Sequence, residues 1–234
     1  MARMQFGVML PQIKRSWSDS KAAAQTADRL GFHSVWFNDH LYGIPMPSIP
    51  IMEAWTALSA VGAVTERVEL GTLVTPIGFR NPAMLAKMVA TLDNISNGRV
   101  VVGLGSGWFA QEFSGYGIDF PPVQDRLRQL EEGIELMRRM WSEEQVTFNG
   151  RYYKTDDVFC APKPVRRPPI HPNRPLRPVF RRAAASGRGA ARRHRCRSAR
   201  TAGPGPGHRT RRSRRCDPSC SCLRSCPAPW RRTP

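Results

Sequence analysis

The sequence predicts an α/β fold, a parallel sheet covered by helices, with a disordered arginine- and proline-rich tail behind it. Three observations predict this. Short apolar runs alternate four times with helix-forming segments, and strands that are apolar throughout belong to parallel sheets covered on both faces. Polar or glycine-rich groups follow the second, third and fourth runs, where parallel folds collect their active residues. Third, the composition changes abruptly. Residues 1–164 hold 16 basic and 17 acidic side chains, whereas the last 70 hold 20 arginines, no lysine and one acidic residue.

The elements follow in order. Met4–Leu10 reads as a buried strand stopped by Pro11. Ser18 is expected to cap a helix from Lys21 to Leu30, with Gly31 at its C-terminal turn. Ser34–Phe37 is the second strand and runs into Asn38, Asp39 and His40. A proline-rich loop leads to a helix through Glu53–Val64. Val68–Val74 is the third strand and runs into Thr75-Pro76. Asn81 and Pro82 open a helix through Ala83–Ile95 as N-cap and first residue, and Gly98 closes it. Val100–Leu104 is the fourth strand. Leu127, Leu130, Ile134, Met137 and Trp141 then mark one apolar face of a helix from about Val123 to Trp141, with Arg126, Glu131, Glu132 and Arg138 outside that face. Val146–Tyr153 alternates around Asn149-Gly150, a hairpin signal. A doubly wound sheet and a barrel share this signature.

The fourth strand enters Gly103-Leu104-Gly105-Ser106-Gly107-Trp108, a backbone nearly free of side chains. Such a turn lets main-chain N–H groups approach phosphate oxygens, or it is simply a tight packing turn. A dinucleotide fingerprint would read G-x-G-x-x-G with an acidic residue about 20 positions on. The spacing here is G-x-G-x-G, and Asp125 stands at a helix start, which counts against NAD(P).

The tail admits three readings. Nucleic-acid arms usually mix Lys with Arg and interleave aromatics, and only Phe180 and Trp230 serve here, so a nucleic-acid partner is not expected. Cys196, Cys216, Cys220, Cys222 and Cys226 give an odd count for disulfides and lack the paired spacing of a zinc site, and no metal is expected. Arg, Pro, Ala, Gly, Ser and Cys without Lys or Glu fit a GC-rich coding sequence read out of frame, which is the reading adopted. No apolar run has the length of a membrane span and no targeting signal opens the chain, so a cytoplasmic location and no membrane partner are expected.

Nine motifs in order then resemble the luciferase-like monooxygenase superfamily, especially its coenzyme F420-dependent oxidoreductases. They include Ser34–Leu41, Leu70–Pro76, Phe79–Ala83, Leu92-Asp93, Gly103–Trp108, Glu112-Phe113, Tyr116–Ile118, Val146–Tyr153 and Pro162–Val165. The resemblance implies a (β/α)8 TIM barrel, here incomplete at about four to five βα units. Residues 1–170 would form the barrel part, 171–187 a disturbed segment with partial resemblance, and 188–234 the disordered basic tail. An open sheet edge would make the product aggregate or form a homodimer.

The resemblance also implies coenzyme F420, with FMN as the alternative, lying across the mouth of the barrel. It points to Asp39 and His40 beside the ring, to a bulge with a non-prolyl cis peptide at Leu73, Val74 and Thr75, and to Gly105, Ser106, Gly107 and Trp108 at the phosphate side. The reaction implied is hydride transfer between the deazaflavin and a small organic substrate. His40 is the expected acid or base, because imidazole exchanges protons near neutral pH. Asp39 is expected to orient that ring or bond the substrate, and Trp36 and Trp108 to wall the pocket. Sugar-phosphate dehydrogenases of the family carry a glutamate where Trp108 stands and a tryptophan near Gly43-Ile44, so a sugar phosphate is not the expected substrate. A different class of function, a basic non-catalytic interaction protein or the inactive product of a broken gene, would act through the tail or not at all.

Overall fold

In the computed structural model, which describes residues 4–172, one six-stranded parallel sheet is backed by helices. Its strands are β1 (Gly7–Met9), β2 (Ser34–Phe37), β3 (Glu69–Thr72), β4 (Thr75–Pro76) and β5 (Val100–Gly105), together with β8 (Ile170–Pro172). They lie in the order β1-β2-β3-β5-β8, and β4 continues β3 alongside β5. Chain order and spatial order agree without a reversal. That is the wall of a barrel; a doubly wound sheet would reverse direction at a switch point. Four βα units and a fifth wall strand are therefore present among the described residues, as expected.

The helices α1 (Trp17–Leu30), α2 (Ala54–Val64), α3 (Pro82–Ile95) and α5 (Val123–Ser142) follow the strands. Side chains alternate along β2: Val35 and Phe37 are fully buried toward the helices, with Leu58, Val61, Leu85, Val89 and Met137 in the same core. Each such residue contributes roughly 1.5–3 kcal/mol through burial. Trp36 points the other way, over the inner surface of the sheet. A Cβ on Gly71 would come 2.3 Å from its ring and one on Gly7 2.6 Å from its Nε1, so small residues on both neighbouring strands make room for the indole.

Several local expectations hold. Asn81 accepts from the Ala83 N–H at 2.8 Å with Pro82 at the first helical position. Gly31 and Gly98 take the left-handed conformation after α1 and α3. Three differ. The cap of α1 is Ser16, not Ser18, because Ser16 and Asp19 close a reciprocal capping box. The first strand is shorter than expected and is not buried: Met4 is 76% and Phe6 62% exposed, since β1 pairs only with β2 among the described residues.

The third difference is the hairpin. Its strands are β6 (Gln145–Asn149) and β7 (Lys154–Phe159), with Asn149 opposite Lys154. Residues 150–153 form a loop because the Glu132 carboxylate of α5 accepts from the N–H groups of Arg151, Tyr152 and Tyr153. Of the expected segment 171–187 only His171 and Pro172 are described, as the end of β8; the rest of it and 188–234, and with them the out-of-frame reading and the tail, lie outside the described residues. No helix among the described residues is long and apolar enough to cross a membrane.

Candidate active site

The site begins with a register fault. On β3, Gly71 faces Val101 of β5, and on β4, Thr75 faces Leu104. Four steps on one strand match three on the other, so one extra residue is bulged out between them. The Leu73–Val74 peptide within this bulge is cis. Gly103 lies against it: a Cβ there would stand 2.0 Å from the Thr72 carbonyl oxygen, so the close approach requires glycine. The bulge turns Leu73 and Val74 toward the strand ends, where Leu73 is half exposed.

Beneath the bulge lies a buried ionic floor. Asp39 is fully buried and accepts from Arg80 Nη1 at 2.7 Å, Arg80 Nη2 at 3.1 Å and the Thr75 hydroxyl at 2.8 Å. Arg80 also reaches Glu53, whose other bonds cap α2 at the N–H groups of Trp55 and Thr56. Trp55 Nε1 donates to Thr75 Oγ1 at 2.9 Å. Burial pushes the Asp39 carboxyl above the usual aspartate range, against the pull of Arg80 and Thr75. The Arg80 guanidinium is pushed down by burial but up by more from Asp39 and Glu53, and ends above its ordinary value.

His40, the next residue, has a different partner. Its Nδ1 lies 2.9 Å from Glu112 Oε2, and Glu112 is 1% exposed on the short helix α4 (Ala110–Gly115). The expectation that Asp39 orients His40 is therefore corrected: both Asp39 oxygens are committed to Arg80 and Thr75, and Glu112 holds the ring. Trp108 stands edge-on to His40, with ring centroids 5.9 Å apart, and stacks on Phe109.

Above these groups opens a cleft of about 430 Å³. It brings together His40, Leu73, Val74, Gly105, Ser106, Gly107 and Trp108, seven of the ten residues given a site role from sequence. Asp39 and Thr75 do not line it; they lie in the floor. Trp36 does not line it either, because its indole lies over Gly7 and Gly71. Of the glycines in the turn, only Gly107 has a positive φ, +80°. Gly103 and Gly105 are still within β5.

The sequence reading gave no site role to Arg126, Arg80, Glu53 or Glu112. Arg126 was assigned to the outer face of its helix, yet it lines the cleft beside Leu127 and Leu130. Its guanidinium lies over the Phe120 ring, 3.7 Å from the centroid, and Nη1 donates to the Pro121 carbonyl. Its buried Nε has no hydrogen-bond partner among the described residues. Arg80 and Glu112 stood in motifs already noted, Phe79-Arg80-Asn81 and Glu112-Phe113.

Comparison with known proteins places this geometry. The model of the luciferase-like monooxygenase family matches residues 2–195. An F420-dependent glucose-6-phosphate dehydrogenase of Intrasporangium calvum is 38% identical over 150 residues, covering 62% of this chain and 44% of that protein. A solved F420-dependent secondary alcohol dehydrogenase, in complex with an F420-acetone adduct, is 31% identical with a TM-score of 0.66, covering 73% of this chain and 52% of that one. The monooxygenase RslO1 of Streptomyces bottropensis is also 31% identical, with a TM-score of 0.62 and coverages of 72% and 52%. The chain spans about half the length of these relatives.

Proposed function

The chain belongs to the luciferase-like monooxygenase family, and from that premise we propose that its cleft takes coenzyme F420 and serves hydride transfer to or from a small organic substrate. The observation that carries this reading is the meeting, in one cleft, of His40, the bulged Leu73–Val74 segment, the Gly105–Trp108 turn and Arg126. The names of the similar dehydrogenases, both F420-dependent, support it.

The residues present fit such a cofactor. Arg126 keeps a buried N–H without a partner at the cleft, which suits the anionic phosphate side. Gly107 takes a positive φ, and a Cβ there would meet Phe113 at 2.7 Å, so the shape of the turn beside the cleft requires glycine. Leu73, Val74 and Trp108 offer apolar surface for a flat ring. When bound, coenzyme F420 would supply or receive the hydride.

The chain's own groups do the rest. Arg126 and the glycine turn would hold the anionic end. Leu73 and Val74 would set the height of the ring over the sheet. His40 would exchange a proton with the substrate oxygen, giving one in reduction and taking one in oxidation. Asp39, Arg80 and Thr75 tie the end of β2 to β4 and so fix the point from which His40 projects. Trp108 in place of a carboxylate favours a substrate with an uncharged, apolar face over a sugar phosphate.

The similarity to the monooxygenase RslO1 favours a second reading, a monooxygenase using the same cleft, for which FMN is the alternative cofactor to be tested. Equilibrium titration of the purified chain with F420, FMN and NADP, read by fluorescence or dialysis, separates them. The expected order is F420 tightest. Tighter FMN binding would favour the second reading, and NADP binding equal to or tighter than F420 would overturn both.

A further inference from the structure

We propose that Glu112 is the positioning residue for His40: it holds the ring as the Nδ1–H tautomer and leaves Nε2 as the nitrogen that exchanges the proton. The role in proton exchange rests on the function proposed above; the tautomer rests on the geometry alone.

The Glu112 carboxylate folds onto a single turn of chain. Oε2 faces His40 Nδ1 at 2.9 Å, while Oε1 takes the N–H groups of Leu41 and Tyr42, the latter at 2.8 Å. Three consecutive residues thus converge on one buried carboxylate. A carboxylate only accepts, so the proton of the His40–Glu112 bond belongs to Nδ1. The other tautomer would set two acceptors against each other in a buried place, at the cost of an unmade hydrogen bond. Nε2 makes no hydrogen bond among the described residues, and the ring it belongs to lines the cleft.

The mounting is rigid on both sides. The Tyr116 hydroxyl donates to the Leu41 carbonyl at 3.3 Å, and the Tyr42 ring packs against Tyr116 with centroids 5.4 Å apart. A Cβ on Gly115 would meet the Tyr42 hydroxyl, so α4 and the turn after His40 are in close contact. The edge of His40 toward Trp108 limits the swing of the ring. In the oxidising direction, Nε2 would take the hydroxyl proton, and the deazaflavin, held by Arg126 and the glycine turn, would supply the acceptor for the hydride on the adjacent carbon. The substrate loses one proton and one hydride and becomes a carbonyl compound. Throughout, Nδ1 keeps its proton.

Glutamine at position 112 makes the test sharp. A carboxamide has one acceptor oxygen and one donor nitrogen. If the oxygen stays with the Leu41 and Tyr42 N–H groups, the NH2 group faces Nδ1 and forces the Nε2–H tautomer. The experiment is long-range proton–nitrogen correlation NMR on the full chain labelled with ¹⁵N-histidine, at alkaline pH where imidazoles are neutral. Loss of one resonance pair in His40→Asn assigns the signal. The expected result is Nδ1–H in the wild type and Nε2–H in Glu112→Gln.

A wild-type Nε2–H tautomer would overturn the proposal, as would a folded Glu112→Gln protein that keeps Nδ1–H. Should Glu112→Gln not fold, the wild-type spectrum alone decides. The measurement needs no cofactor. Failure of F420 to bind would therefore strike the proposed function and leave the tautomer standing.

Discussion

The two ends of the same parallel strands treat their polar groups in opposite ways. At the N-terminal end the main buried and half-buried polar groups bond to the chain itself. Arg99 donates to the carbonyls of Gly62, Thr65, Val68 and Ser96 at 2.7–2.9 Å. Asp28 accepts from the N–H groups of Glu66, Arg67 and Val68, each at 2.9 Å. Asp93 accepts from Val100 and Arg166 N–H, and Glu69 pairs with both His33 and Arg166. At the C-terminal end, the buried floor of Asp39, Arg80 and Thr75 is equally saturated. The layer above it is not: His40 Nε2 and Arg126 Nε have no partner among the described residues. One end therefore closes loops, and the other leaves hydrogen-bonding capacity unspent, which is what the proposed cofactor site requires.

Substitutions can break or sharpen that contrast. Asp39→Ala should have the largest effect, a loss of about 3–5 kcal/mol in urea unfolding, because it strips a buried partner from Arg80. A loss below about 1 kcal/mol would show that the floor is not structural. At the opposite end, Arg99→Ala should cost about 2–3 kcal/mol by orphaning several carbonyls, yet leave F420 affinity within twofold. A parallel fall in affinity would erase the distinction between the ends.

Arg126→Ala should do the reverse. It should weaken F420 binding about tenfold or more, as expected for a charge-assisted bond, with unfolding changed by about 0.5 kcal/mol or less. The smallest effect is one of pH. Burial alone would raise the Asp28 carboxyl, but the three N–H donors outweigh it and hold it below its ordinary 3.8. Asp28 therefore stabilises the fold above that value, and the contribution fades as pH falls through the lower, folded one. The stability gap between wild type and Asp28→Ala should be constant near neutrality and shrink only below about pH 4. A gap that widens on acidification would reverse the sign.

How much of this was legible depended on whether the signal was local. Asn81-Pro82 and Gly98 bracket α3 by chemistry that acts within a few residues, and the pattern predicted both ends. Ser16 and Ser18 both suit a cap by residue type, and only the reciprocal bonds between Ser16 and Asp19, three residues on, decide between them. The cleft was legible because parallel strands put their ends on one side. Which neighbour faces it was not: Asp39 and His40 were read as a pair, yet one points into the floor and the other lines the cleft. Their true partners lie 41 and 72 residues away, Arg80 and Glu112, and no short-range pattern ties them together. Helix α4 has six residues, too few for a period, so the element that carries Glu112 was invisible. Arg126 was misassigned because its position on the helix face excludes it from the apolar stripe, while its long side chain still reaches the cleft.

The most direct measurement is hydrogen exchange of the full chain with and without saturating F420. A ligand seated on the reserved groups should slow exchange in Leu41-Tyr42, in Gly105–Trp108 and in the first turn of α5. The segments 62–69 and 93–99 at the opposite end should exchange as before. Protection confined to the N-terminal end, or none at any of the three cleft segments under saturation, would contradict the assignment of the cleft as the cofactor site.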